Sequence, residues 1–143
     1  MNRRTSIGYL GTLLMVGLVG CGGEESRLRS EREAWNRTHP EHYRYDYEAT
    51  GFSPEGGPWR IETRGDTVVS VSYVGEGNPP MVGLDANNAP TIDKLFDQVD
   101  KQLESAERAD VDYDPTHHFP VRATFTLGSE SSGFIVNAFT PLE

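Results

Sequence analysis

Tyr43-Arg44-Tyr45-Asp46-Tyr47-Glu48-Ala49 alternates between ring-bearing or small side chains and charged ones. Successive side chains of an extended strand point to opposite faces, so the stretch predicts a half-buried strand with three phenols on one face and three charges on the other. A tyrosine stripe serves either as a platform for sugar or peptide or as the core face of a sheet. The core reading is preferred, because phenol rings fill space well and their hydroxyls reach polar partners at the edge of a core.

Working outward, Ser26 to Thr38 reads as a helix rich in Arg and Glu, with Leu28, Ala34 and Trp35 as its apolar face and Pro40 as its stop. Beyond the stripe and the loop Gly51 to Pro58, Trp59 to Thr63 and Thr67 to Val74 form a hairpin around Arg64-Gly65-Asp66. Those three residues also spell the integrin-binding tripeptide, but a hairpin calls for Gly-Asp there in any case. Gly75 to Pro90 has no period and carries Met81, Val82 and Leu84, which either meet a partner or tuck onto the core. Thr91 then caps the clearest helix of the chain. Ile92, Leu95, Phe96, Val99, Leu103 and Ala106 recur at helical spacing through Glu107, with Asp93 in the first turn. Val111 to Asp114, Val121 to Leu127 and Phe134 to Phe139 read as strands, with Val121, Ala123, Phe125 and Leu127 on one face. The expected fold class is therefore α+β: two helices and an antiparallel sheet of about six strands. The order helix, three strands, helix, three strands further suggests a duplicated helix plus meander.

The first twenty residues have a different character. Arg3 and Arg4 precede a mostly apolar run from Ile7 to Val19, the layout of a secretory signal peptide and too short for a spanning helix. Leu18-Val19-Gly20-Cys21 resembles the bacterial lipobox, and Cys21 is the sole cysteine of the chain. The resemblance implies that a signal peptidase recognises Leu18, Val19 and Gly20, that the cut falls before Cys21, and that Cys21 receives acyl chains on its sulfur and amino group. Two or three chains anchor firmly where one holds only marginally. Residues 1–20 are thus read as signal peptide, 21–26 as a lipidated tether and 27–143 as one domain. Gly22 after the cysteine favours the outer membrane, facing the periplasm, if the organism has two membranes. The chain carries a net charge of −9, and losing Arg3 and Arg4 leaves 11 bases and 22 acids. Such acidity argues against nucleic acid, whose phosphates require clustered Lys and Arg, and against a globule drawn flat onto anionic lipid.

Trp35, Tyr43-Arg44-Tyr45-Asp46-Tyr47, Val68-Val69-Ser70-Val71, Thr91-Ile92-Asp93-Lys94-Leu95-Phe96, Val111-Asp112-Tyr113-Asp114-Pro115 and Phe119-Pro120 together resemble an uncharacterised family of small bacterial lipoproteins, a domain of unknown function numbered 6174. The likeness spans about residues 35 to 139 and supports the fold. It departs from the family pattern at His117-His118, where a Gly is common, and in lacking a cysteine pair after the first strand. The family implies no activity.

One cluster invites a chemical reading: Asp112, Asp114, His117 and His118 lie within seven residues, and carboxylate and imidazole together suit Zn²⁺ or Ni²⁺. A turn at Asp114-Pro115 explains the same residues, with Asp accepting backbone hydrogen bonds and Pro fixing φ. His39 and His42 flank Pro40-Glu41 as a possible acid–base pair, yet no Gly-x-Ser-x-Gly, His-Glu-x-x-His or phosphate loop accompanies them. No cofactor is implied and no catalytic residue stands out. The expected function is that of a membrane-anchored, non-enzymatic binding or envelope-maintenance module, held through Cys21 and meeting an envelope protein. A small-ligand or metal-binding module comes second and a hydrolase third.

Overall fold

The alternating and helical stretches become eight elements in the computed structural model, which describes residues 22–143. They are α1 (Gly22–Thr38), β1 (His42–Thr50), β2 (Trp59–Arg64), β3 (Thr67–Tyr73), α2 (Ile92–Ser105), β4 (Arg108–Tyr113), β5 (Pro120–Leu127) and β6 (Glu130–Pro141). The strands form one antiparallel sheet in the order β3-β2-β1-β6-β5-β4, so the first and last strands pair at its centre. The fold is α+β, with two helices and six strands.

The succession of helix and meander recurs, but it is not a symmetry of the fold. Both meanders advance across the sheet in the same direction, while β1 and β4 run oppositely along it. A rotation that superposes one meander on the other would therefore carry the second helix to the opposite face. The helices instead pack together on one face, with Arg32 of α1 bonded to Asp97 of α2 at 2.6 Å.

That face holds the core. Tyr43, Tyr45 and Tyr47 are 1%, 0% and 5% exposed, which makes the stripe a core face and not a ligand platform. The Tyr45 hydroxyl donates to the Pro90 carbonyl, tying β1 to the residue before the cap of α2. Trp35 is fully buried and meets Tyr43, Phe119 and Phe139 edge-on at centroid distances of 5.4, 6.0 and 6.0 Å, within the range of favourable aromatic pairs. α2 starts at the expected cap, where the Thr91 hydroxyl accepts from the Lys94 amide at 3.2 Å, and it ends at Ser105, two residues before the expected end.

Three details differ from the sequence reading. The stretch Gly22 to Ser26, expected as a tether, belongs to α1, whose first turn carries Glu24 and Glu25 where the helix dipole favours anions. Leu127 is 61% exposed, unlike Ala123 and Phe125, because it lies beside the tip of the β5–β6 hairpin. Phe139 packs on the core although strict alternation from Phe134 and Val136 would turn it outward. Between Asp46↔Asn137 and Arg44↔Thr140, β6 carries one residue more than β1. Ala138 takes up that bulge at φ +53 and shifts the phase of the strand. Nearby, Gly133 lies so close to β5 that a Cβ would stand 1.8 Å from the Ala123 carbonyl oxygen, so the pairing of β5 with β6 requires glycine there.

Candidate functional site

The Asp112 to His118 segment is built as a turn. After β4, the Asp114 carboxylate accepts from the Thr116 amide at 2.9 Å and the His117 amide at 2.6 Å, and the His118 amide closes the turn onto the Asp114 carbonyl at 2.9 Å. The turn keeps Asp114 and His117 together and sends Asp112 and His118 elsewhere. Asp112 is exposed on the outer face of the sheet, opposite Arg122 in register. His117 lies against the Phe139 ring at 4.8 Å, with Nδ1 3.5 Å from Asp114 Oδ1. His118 turns toward α1, where its Nδ1 stands 2.8 Å from Glu31 Oε2. No three His, Cys, Asp or Glu groups converge on a common point among the described residues. His118 adopts φ +70, a left-handed conformation that costs a β-carbon-bearing residue about 1–2 kcal/mol.

His39 and His42 part company as well. His39 stacks on Trp35 at 4.9 Å with Nδ1 3.0 Å from the Pro40 carbonyl, whereas His42 Nε2 lies 2.5 Å from Glu62 Oε1 on the outer face of the sheet. That outer face is polar throughout β1 and β2. Asp46 and Arg60 face each other in register and form a bidentate pair at 2.8 and 3.0 Å, which raises the Arg60 pKa further. Arg44 and Glu62 are opposed in the same way. This face is a solvated ladder of complementary charges, as one side of an antiparallel sheet commonly is.

The most unusual surface lies at one end of the sheet. β1 leaves the sheet there into the loop bearing Phe52, β3 leaves it into the loop bearing Val74, Met81 and Val82, and the β5–β6 hairpin brings Leu127. The loops touch: a Cβ on Gly56 would meet Pro80 at 3.6 Å, and one on Gly51 would collide with the Ser131 carbonyl. Phe52 and Met81 are completely exposed, and Val82 is half exposed. Leu84 and Ala89 of the same long loop pack on the core, whereas Met81 and Val82 do not. A cleft of about 250 Å³ opens at this end between Phe52, Ala106, Phe125 and Leu127. Leu127 beside Gly128 carries a sequence signal, an apolar residue at a turn, whereas Phe52 in a glycine- and proline-rich loop carries none that separates it from a core anchor.

Four buried phenols hold their protons more tightly than free tyrosine does. Burial pushes the Tyr47 phenol up to about 12, with Glu55 adding to the effect. Burial likewise takes Tyr113 to about 12, Glu24 reinforcing and Arg27, whose guanidinium sits 5.1 Å from the ring centre, opposing. Tyr43 and Tyr45 are raised further, again chiefly by burial.

Cys21 and the peptidase motif Leu18, Val19 and Gly20 lie outside the described residues. Among the described residues no helix is long and apolar enough to cross a membrane. No curated protein and no solved structure matches the chain significantly. A family of unknown function does match, over residues 27–130, from the first helix to the tip of the last hairpin. With its matched span covering most of α1, all of α2, the tyrosine strand and the Asp114 turn, the chain belongs to that family, DUF6174.

Proposed function

We propose that the protein is a lipid-anchored binding module of the bacterial cell envelope, fixed to the membrane through acyl chains on Cys21 and without catalytic activity. The observation that carries this reading is the placement of the sole cysteine. It ends the sequence Leu18-Val19-Gly20-Cys21 after an arginine pair and an apolar run, and the chain is already helical at Gly22, the first described residue. The grouping of the exposed apolar residues Phe52, Met81 and Val82 at one end supports a surface that is covered in the envelope, by lipid or by a partner. The metal-binding alternative draws little support from Asp112, Asp114, His117 and His118, of which Asp114 and His117 face each other while His118 turns to Glu31 and Asp112 lies on the outer face. Placement in the outer membrane, facing the periplasm, follows from Gly22 after the cysteine if the cell has two membranes.

Fractionation of cells expressing the full chain and its Cys21→Ala variant tests the proposal. The natural chain is expected in the membrane fraction and Cys21→Ala in the soluble fraction. Photo-cross-linking from β3 and β4, the edge strands, then identifies the partner in the natural chain alone. Equal distribution of the two proteins would overturn the anchoring, and identical cross-links from both would overturn the dependence of binding on the anchor.

A further inference from the structure

We infer that the apolar end of the sheet is a second membrane contact: the loop tips bearing Phe52, Met81 and Leu127 dock onto the lipid interface beside the acylated Cys21. The inference rests on the proposed lipid anchor and specifies how the domain stands on the membrane.

Two independent placements meet at this end. The first is the apolar surface itself. Phe52, Val74, Met81, Val82 and Leu127 are five of the six exposed large hydrophobic residues among the described residues, and all five lie on the loops and hairpin that leave the sheet together. Phe52 and Leu127 also line one cleft. The sixth, Val69, is isolated on the edge strand β3.

The second placement is the start of α1. Arg32 bonds to Asp97, and Glu25, Leu28 and Arg29 lie with Asp100 around one hollow, so the two helices run antiparallel. The beginning of α1 therefore stands beside the end of α2. That end is pinned to the hairpin, because the Glu107 amide donates to the Thr126 carbonyl at 2.9 Å. Cys21 precedes Gly22 by a single peptide unit, about 3.8 Å between Cα atoms, so there is no spacer to carry the domain away from its acyl chains. A bilayer that receives those chains faces the same end as the exposed tips.

Lipid fits this surface better than a protein partner does. Met81 and Val82 stand exposed on their loop outside the cleft that Phe52 and Leu127 border, in the manner of interfacial anchors. Glu55 and Glu76 lie on those loops, Glu130 on the hairpin and Glu107 in the link from α2 to β4, a charge that disfavours anionic headgroups and directs the contact to zwitterionic lipid.

The test places an environment-sensitive fluorophore on single cysteines in the acylated full chain, reconstituted in phosphatidylcholine vesicles that carry a lipid-borne quencher. Phe52→Cys, Met81→Cys and Leu127→Cys probe the tips, and Asp66→Cys, in the β2–β3 turn at the opposite end of the sheet, is the reference. All four positions are exposed, and the labels leave the core untouched. Quenching at the three tips is expected to exceed that at position 66 by at least fivefold. Equal quenching at all four positions would overturn the docking. Tips that are shielded in native envelopes but unquenched in the vesicles would overturn it in favour of a protein partner. Acylation of Cys21, read by mass in the same sample, separates the two levels of inference. An acylated chain with unquenched tips removes the docking alone, whereas an unacylated chain removes the anchor and the docking with it.

Discussion

His118 shows how a single residue records a compromise. Its backbone sits at φ +70 because the Asp114-Pro115 turn closes onto the Asp114 carbonyl, and its imidazole meets Glu31 at 2.8 Å. His118→Ala and His118→Gly both lose the Glu31 contact, but only glycine relieves the left-handed strain. Set against the greater chain entropy of glycine, His118→Gly is expected to be more stable than His118→Ala by about 0.5–1 kcal/mol in urea unfolding. Equal stability would mean that the turn carries no backbone strain. The turn itself was legible in sequence, because an Asp that accepts amides two and three residues ahead is a local device. The bond from His118 to Glu31 was not, since 87 residues separate the partners and only the packing of α1 against β4 brings them together. The same distance explains why four adjacent candidate ligands looked like a cluster and are none.

At the scale of elements, legibility follows the regularity of the pattern. β1 and α2 announce themselves because period two and period 3.6 persist over several residues, and Thr91 caps where the pattern begins. The start of α1 was hidden by Gly22 and Gly23, poor helix formers whose conformation follows from a helix held by Leu28 and Trp35. The bulge at Ala138 was hidden because an inserted residue reverses the alternation that would reveal it. The tyrosine face of β1 makes its own prediction. Tyr47 and Tyr113 titrate near 12 in the fold, and Tyr43 and Tyr45 are also raised, against about 10 in an unfolded chain. The fold therefore holds the phenol protons more tightly than the unfolded chain does. Stability is fully present below pH 10 and declines as pH rises from 10 through 12, because the unfolded chain ionises first. The urea midpoint is expected to be unchanged between pH 8 and 9.5 on this account and to fall steeply by pH 11.5. A midpoint that stays constant to pH 12 would show that the phenols are not confined to a dry core.

At the scale of the whole molecule, the pairing of β1 with β6 closes the sheet across its middle, so the fold is complete only when the last strand is in place. This long-range seam, like the gathering of three distant loops at one end, is a property of topology that no local pattern in the sequence expresses. It yields a domain with two unlike surfaces: a polar outer face laced with ion pairs such as Asp46–Arg60, and an apolar end beside the start of α1. The anchor proposed at Cys21 would give both a direction, the apolar end toward lipid and the polar face toward the envelope space. The most direct test is the intact mass of the full-length gene product extracted from membranes. A chain that begins at Cys21 and carries a diacylglyceryl group on sulfur, with or without a further acyl group on its amino terminus, is the expected result. A chain that retains residues 1–20, or one cut elsewhere with an unmodified thiol at Cys21, would contradict the anchored module.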